Sequence, residues 1–187
     1  MKQKKQKKRI SILLALTLCF SGIWPAAGVL AATDGLIINQ VYGNGGKSDP
    51  AISRSYVELY NPTDAPVSLD GYRLVYSSSG DGSEGGTNGG TQELVLDSSA
   101  TIGAHSSYLV TANETAAAAD GYTLAAGDQQ WENQIFNNDH IKMVLAKDNG
   151  RTIVDQVDTT SISKQKVFAR ENFGNFVVVE WKGNRCV

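Results

Sequence analysis

Residues 36–50, LIINQVYGNGGKSDP, hold the spacing nearest to a reactive one. An apolar, β-branched run feeds a glycine-rich turn that ends in Gly46-Lys47-Ser48. The chemistry such a turn could do is phosphate binding. A phosphate loop needs a glycine five residues before the Gly-Lys-Ser glycine, and Val41 stands there. It must also open a helix whose N-terminus faces the phosphate. Here Asp49-Pro50 follows, then AISRSYVELY, which reads as strand. Both requirements fail, and the segment reads as a glycine-rich exit from a β-strand.

The other reactive residues are sparse. The two histidines are His105, in the turn GAHSS, and His140, after Asn-Asn-Asp at a strand start. Neither has a second ligand at the short spacing of a metal site. No G-x-S-x-G elbow occurs, and no Ser-His-Asp set is singled out. Oxygen-rich clusters are the more serious candidates. Asp81 and Glu84 lie in DGSE, and Asn137 and Asp139 in NND. Calcium takes six to eight oxygens, and neither cluster fits the twelve-residue calcium loop. No cofactor is expected, and both clusters read first as solvated polar loops; an irregular calcium site, with those four residues as candidate ligands, is the alternative. The tyrosines of YVELY and YRLVY suggest an exposed aromatic face for a glycan or a peptide. Trp131 and Trp181 read as core fillers.

The elements that must position these residues are strands. Period-two alternation marks 36–42, 56–60, 72–77, 93–96, 107–111, 141–146, 152–157 and 176–181. In YVELY, Val57 and Leu59 share a face opposite Tyr56, Glu58 and Tyr60. In IKMVL, Ile141, Met143 and Leu145 oppose Lys142 and Val144. Turn chemistry separates the runs, and Asp148-Asn149-Gly150 reads as a hairpin. The segment 77-SSSGDGSEGGTNGG-90 is low in complexity and cannot bury enough apolar area to offset ordering. Residues 112–122, ANETAAAADGY, predict a short helix capped by Asn113 and stopped by Gly121. Residues 128–139 read as irregular, anchored by Trp131, Ile135 and Phe136. Short strands at turn-like spacing predict a two-sheet β-sandwich.

The first 32 residues read as a signal peptide, with the domain running from 33 to 187. Residues 2–9, KQKKQKKR, form a basic block, Ile10 to Trp24 is mostly apolar, and Val29-Leu30-Ala31 suits cleavage. Six of the 17 Lys and Arg fall in residues 1–31 and none of the 19 Asp and Glu. The remainder carries 11 basic against 19 acidic side chains, a net charge of −8. That surface opposes direct nucleic-acid binding, which needs Lys and Arg at phosphates. Only Cys186 lies beyond the leader, so no intrachain disulfide is expected there. Export without disulfides points to a bacterial surface or medium. No membrane association is expected after cleavage. The chain ends just after FVVVEWKGN, a strand, which suggests a domain at the N-terminus of something longer.

In order along the chain, LIINQVYGNGG, YVELYNPTDAPVSLDGYRLVY, SSYLVTA and DHIKMVLAKDNGRTIVDQV together resemble the lamin tail domain family, in its bacterial secreted branch. The resemblance runs from about Leu36 to Trp181. It implies an all-β, immunoglobulin-like β-sandwich. It also implies structural rather than catalytic roles for Glu58, Asn61 and Pro62 beside the Asn-Pro turn, and for Gly71 in the next turn. Glu58 is expected to accept backbone N–H bonds there. The function expected is a non-catalytic, secreted or cell-surface module that binds an unidentified protein or glycan or scaffolds attached domains. Two alternatives stand beside it: an accessory domain of an extracellular nuclease or phosphoesterase, and a calcium-stabilised adhesion domain.

Overall fold

A computed structural model of the chain describes residues 35–43, 50–77, 91–117, 121–136, 141–159, 166–171, 175–182 and 185–186. All lie in the compact unit Ala32–Val187. The strands, in chain order, are β1 (Ile37–Tyr42), β2 (Arg54–Tyr60), β3 (Val67–Ser68), β4 (Arg73–Ser77), β5 (Gln92–Val95), β6 (Thr101–Ile102) and β7 (Ser107–Glu114). They continue as β8 (Gln129–Gln130), β9 (Lys142–Lys147), β10 (Thr152–Asp158), β11 (Lys166–Arg170), β12 (Phe176–Lys182) and β13 (Arg185–Cys186). No helix occurs among the described residues.

Two sheets carry the fold. One has seven strands in the order β13-β12-β11-β1-β2-β7-β8, the other four in the order β10-β9-β4-β5. β3 and β6 form a separate two-stranded ribbon. All pairings are antiparallel except β7 with β8. The sheets meet through one core. Ile38, Val41, Val57, Leu59, Val110 and Phe168 of the larger sheet cluster with Leu74, Tyr76, Met143, Leu145 and Val157 of the smaller. Trp131 and Phe136 close the layer between, packed edge to face at 5.5 Å. Burying each such side chain stabilises by about 1.5–3 kcal/mol. Inward and outward residues alternate as the pattern in YVELY and IKMVL requires. The arrangement agrees with the expected immunoglobulin-like sandwich.

Two turns show why their sequences were legible. Asp148, Asn149 and Gly150 all have positive φ, between β9 and β10. Asn, Asp and Gly tolerate that region best. Gly71, at φ 79°, ends a turn closed by the Tyr72 N–H on the Leu69 carbonyl at 3.0 Å.

Three expectations are corrected. The helix over 112–122 does not form where its residues are described: Ala112, Asn113 and Glu114 extend β7. A short alanine run is a marginal helix in isolation, so packing decides. Pairing of Glu114 with Arg54 of β2 and burial of Ala112 decide for strand. Residues 128–139 are not wholly irregular, because Gln129 and Gln130 form β8 against β7. The tyrosines do not form one exposed face. Tyr56, Tyr72 and Tyr76 are buried, the last fully, and Tyr60 is half-buried. Tyr76 faces Phe136 at 4.8 Å, and Tyr56 lies under Ala51 and Ile52 beside Tyr42.

Candidate functional site

The outer face of the seven-stranded sheet carries a groove of about 330 Å³. Its floor is set by register. Gln40 of β1 pairs with Glu58 of β2, and Glu58 pairs with Leu109 of β7. Strand partners share a face, so these three side chains form a row across the sheet. Tyr56 and Ser107 flank the row, each two residues along its strand. A bulge between Ile38 and Gln40 re-aims β1, as bulges do, and brings the Gln40 amide to the outer side.

One wall is built by the segments that enter β2 and leave β7. Ile52 and Tyr122 form a parallel bridge. The Ser53 N–H donates to the Tyr122 carbonyl at 2.9 Å, and the Tyr122 N–H to the Ala51 carbonyl at 2.7 Å. The Leu124 N–H donates to the Ser53 hydroxyl at 3.1 Å. These bonds hold Ile52, Tyr122 and Leu124 along the groove, with Tyr122 42 % exposed. Beneath them a second apolar cluster joins Tyr42, Ala51, Ile52, Tyr56 and Val167. The opposite wall is Asp128, whose carboxylate accepts the Leu109 N–H at 2.7 Å. Gly127 makes that approach possible. A Cβ there would stand 2.3 Å from the Leu109 carbonyl oxygen.

The polar groups of the groove are held by one another. The Ser107 hydroxyl donates to Glu58 Oε1 at 2.5 Å. The Tyr56 hydroxyl donates to Gln40 Oε1 at 3.0 Å. Glu58 thus faces a side-chain hydroxyl on the neighbouring strand, where backbone N–H donors had been expected. His105 is engaged elsewhere, its Nε2 2.8 Å from Asp64 Oδ1 on the surface. Among the described residues no three or more His, Cys, Asp or Glu come together as metal ligands. The groove presents two carboxylates, an amide, a hydroxyl, a partly exposed phenol and aliphatic walls.

Of the residues singled out in the sequence, Glu58 and Tyr56 lie in this groove. Asn61 is fully buried at the other end of β2. Its amide donates to the carbonyls of Ala65, Ile102 and Gly103 at 2.8, 3.1 and 2.9 Å, and its oxygen accepts the Thr63 N–H and hydroxyl. Pro62 follows it in the same turn, and Gly71 lies in the turn before β4. Asp81, Glu84, Asn137 and Asp139 lie outside the described residues, as does His140. Asp128, Gln40, Ser107, Leu109, Tyr122 and Leu124 had no motif to mark them. Sheet register and the hydrogen bonds of the flanking loops bring them together.

Near the groove, burial pushes the Tyr108 hydroxyl above its ordinary value, and the charges of Asp97 and Asp128 add to that. Its proton is held on Gln129 Oε1 at 3.2 Å.

None of the curated proteins compared with this chain matches it. A family model, described as Lamin Tail Domain, matches residues 30–161, well over half the chain and all of β1 to β10. The match stops before β11, short of the Trp181 limit of the resemblance noted above. The chain belongs to the lamin tail domain family.

Proposed function

We propose that the chain is a non-catalytic module of a bacterial extracellular protein, secreted or held at the cell surface, that binds a protein or glycan partner and scaffolds attached domains. The observation that carries this reading is the groove on the outer sheet face. Its walls are fixed by backbone bonds, its carboxylates are oriented by a hydroxyl and an amide N–H, and it opens to solvent. Such a surface is preorganised to bind at low ordering cost. Membership of an immunoglobulin-like family supports the same reading, although fold alone does not fix function. Export is supported by the basic block, apolar run and small residues of positions 1–32.

The test is an assay of the purified protein for nuclease and phosphodiesterase turnover, with and without divalent metal. No turnover above the blank is expected. Metal-dependent turnover abolished by Asp81→Asn or Asp139→Asn would replace the module reading with the enzymatic one. Intact mass of the protein released by its host tests export, with loss of residues 1–31 or 1–32 expected.

A further inference from the structure

We propose that the outer-face groove takes the side chain of a lysine or arginine carried by a peptide segment of a partner protein. The proposal rests on the reading of this chain as a binding module. Charge is the first argument. Glu58 and Asp128 both line the groove, and among the described residues no Lys, Arg or His does. Each carboxylate has only one oxygen committed: Glu58 Oε1 to Ser107 and Asp128 Oδ2 to the Leu109 N–H. Glu58 Oε2 and Asp128 Oδ1 have no hydrogen-bond partner among the described residues. Arg54, on the same strand as Glu58, cannot serve them. Its guanidinium is consumed by the carbonyls of Leu124 and Ala112 and by Glu114.

Shape is the second argument. A lysine or arginine is an aliphatic stem with a charged head. The groove offers Leu109, Leu124 and Ile52 for a stem and two carboxylates for a head. The partly exposed Tyr122 ring adds a face that attracts a cation. At about 330 Å³ the groove lies at the lower end of ligand sites, which span about 300–1,000 Å³. That suits one long side chain better than an extended sugar chain. A neutral glycan would also make no use of the two negative charges.

The experiment is an amide-resolved NMR titration of the purified protein with short, end-capped peptides. They differ only at a central residue: lysine, arginine, Nε-acetyl-lysine or norleucine. Lysine and arginine peptides are expected to shift the Leu109, Tyr122 and Asp128 amides. Acetylation removes the charge while keeping the stem, and affinity should fall about tenfold, the worth of one charge-assisted hydrogen bond. Glu58→Gln and Asp128→Asn keep the acceptors for Ser107 and for the Leu109 N–H, so both should fold. Each should weaken lysine binding several-fold while leaving norleucine binding unchanged. If Asp128→Asn loses its native spectrum, Glu58→Gln decides alone. Equal binding of lysine and acetyl-lysine, shifts elsewhere on the protein, or no shift at all would overturn the proposal. A neutral oligosaccharide that moves the same amides while lysine does not would also overturn it, and would leave the module reading standing. Catalytic turnover in the assay above would remove the module reading instead.

Discussion

Asn61 shows how much one side chain can hold. A buried amide that donates to three carbonyls and accepts twice ties the exit of β2 to the ribbon of β3 and β6. Asn61→Ala removes the donors and leaves buried carbonyls unsatisfied, so a loss of about 3 kcal/mol is expected in chemical denaturation. Asn61→Asp keeps the size but turns the donor into an anion facing carbonyl oxygens. It should be at least as damaging at neutral pH and recover partly in acid, where the carboxyl regains a proton. Equal stability of Asn61→Asp and wild type at pH 7 would contradict this hydrogen-bond account. Tyr42 gives a second residue-scale expectation. Burial raises its pKa above the ordinary 10.0, with the backbone at Ile52 and Ala51 pulling the other way. A raised folded pKa means the unfolded chain ionises first. The stability it contributes is whole below pH 10 and is lost as pH rises further. Wild type should therefore weaken in alkali more steeply than Tyr42→Phe, as melting temperatures across that range would report. Parallel profiles would show that Tyr42 does not govern the alkaline limb.

At the scale of elements, β7 and what packs beside it decide the groove. Gly127 lies on the Leu109 carbonyl, its N–H donates to the Thr111 hydroxyl, and Asp128 then reaches the Leu109 N–H. Gly127→Ala forces a backbone contact to open, at a cost of about 1–3 kcal/mol. It should also displace Asp128 and so perturb groove amides before it perturbs the opposite sheet. The same region marks where the sequence was legible and where it was not. β2, β4 and β9 could be read because period-two alternation reports a face half buried in one core. The Asp148-Asn149-Gly150 hairpin could be read because its positive φ values demand those residue types. β3, β6 and β8 are two-residue strands, too short for any period to show. The alanine-rich segment 112–122 misled because helix propensity is weaker than the pairing of its first residues with a central strand. The tyrosines misled because a second apolar layer, from segments around Ile52 and Leu124, covers the outward face at Tyr56. The groove was invisible for a related reason. Gln40, Glu58, Leu109 and Asp128 are scattered along 89 positions of the chain; register aligns the first three, and the Leu109 N–H holds Asp128 beside them.

For the whole molecule, the open question is what keeps two sheets of unequal width in one sandwich. Apolar burial supplies most of the energy but does not fix how the edges meet. Two polar clamps do that. At one side, Gln129 of β8 donates to the Val95 carbonyl of β5 at 3.0 Å and accepts the Asp97 N–H at 3.1 Å. It therefore bonds the end strand of one sheet to the end strand of the other. At the other side, Asp155 of β10 pairs with Arg170 of β11 at 2.6 Å and accepts the Ile38 N–H at 2.7 Å. Arg170 in turn donates to the Ile38 carbonyl at 2.7 Å. This pair occupies the backbone of β1 beside its bulge, where the β1–β11 ladder has given out. Both partners are largely shielded, so removing one strands the other. Asp155→Ala should cost about 3–5 kcal/mol, and replacing both with apolar residues much less. Gln129→Ala, at an exposed edge, should cost about 1 kcal/mol. The clamps share no residue, one joining the end strands β8 and β5 and the other joining the end strand β10 to the interior strands β11 and β1, so the two losses should add within about 0.5 kcal/mol. Denaturant titration of the two single variants and the double variant measures this directly. A double-variant loss well below the sum would mean that the edges close cooperatively, each clamp helping to form the other, and that the sandwich is held by its rims as well as its core.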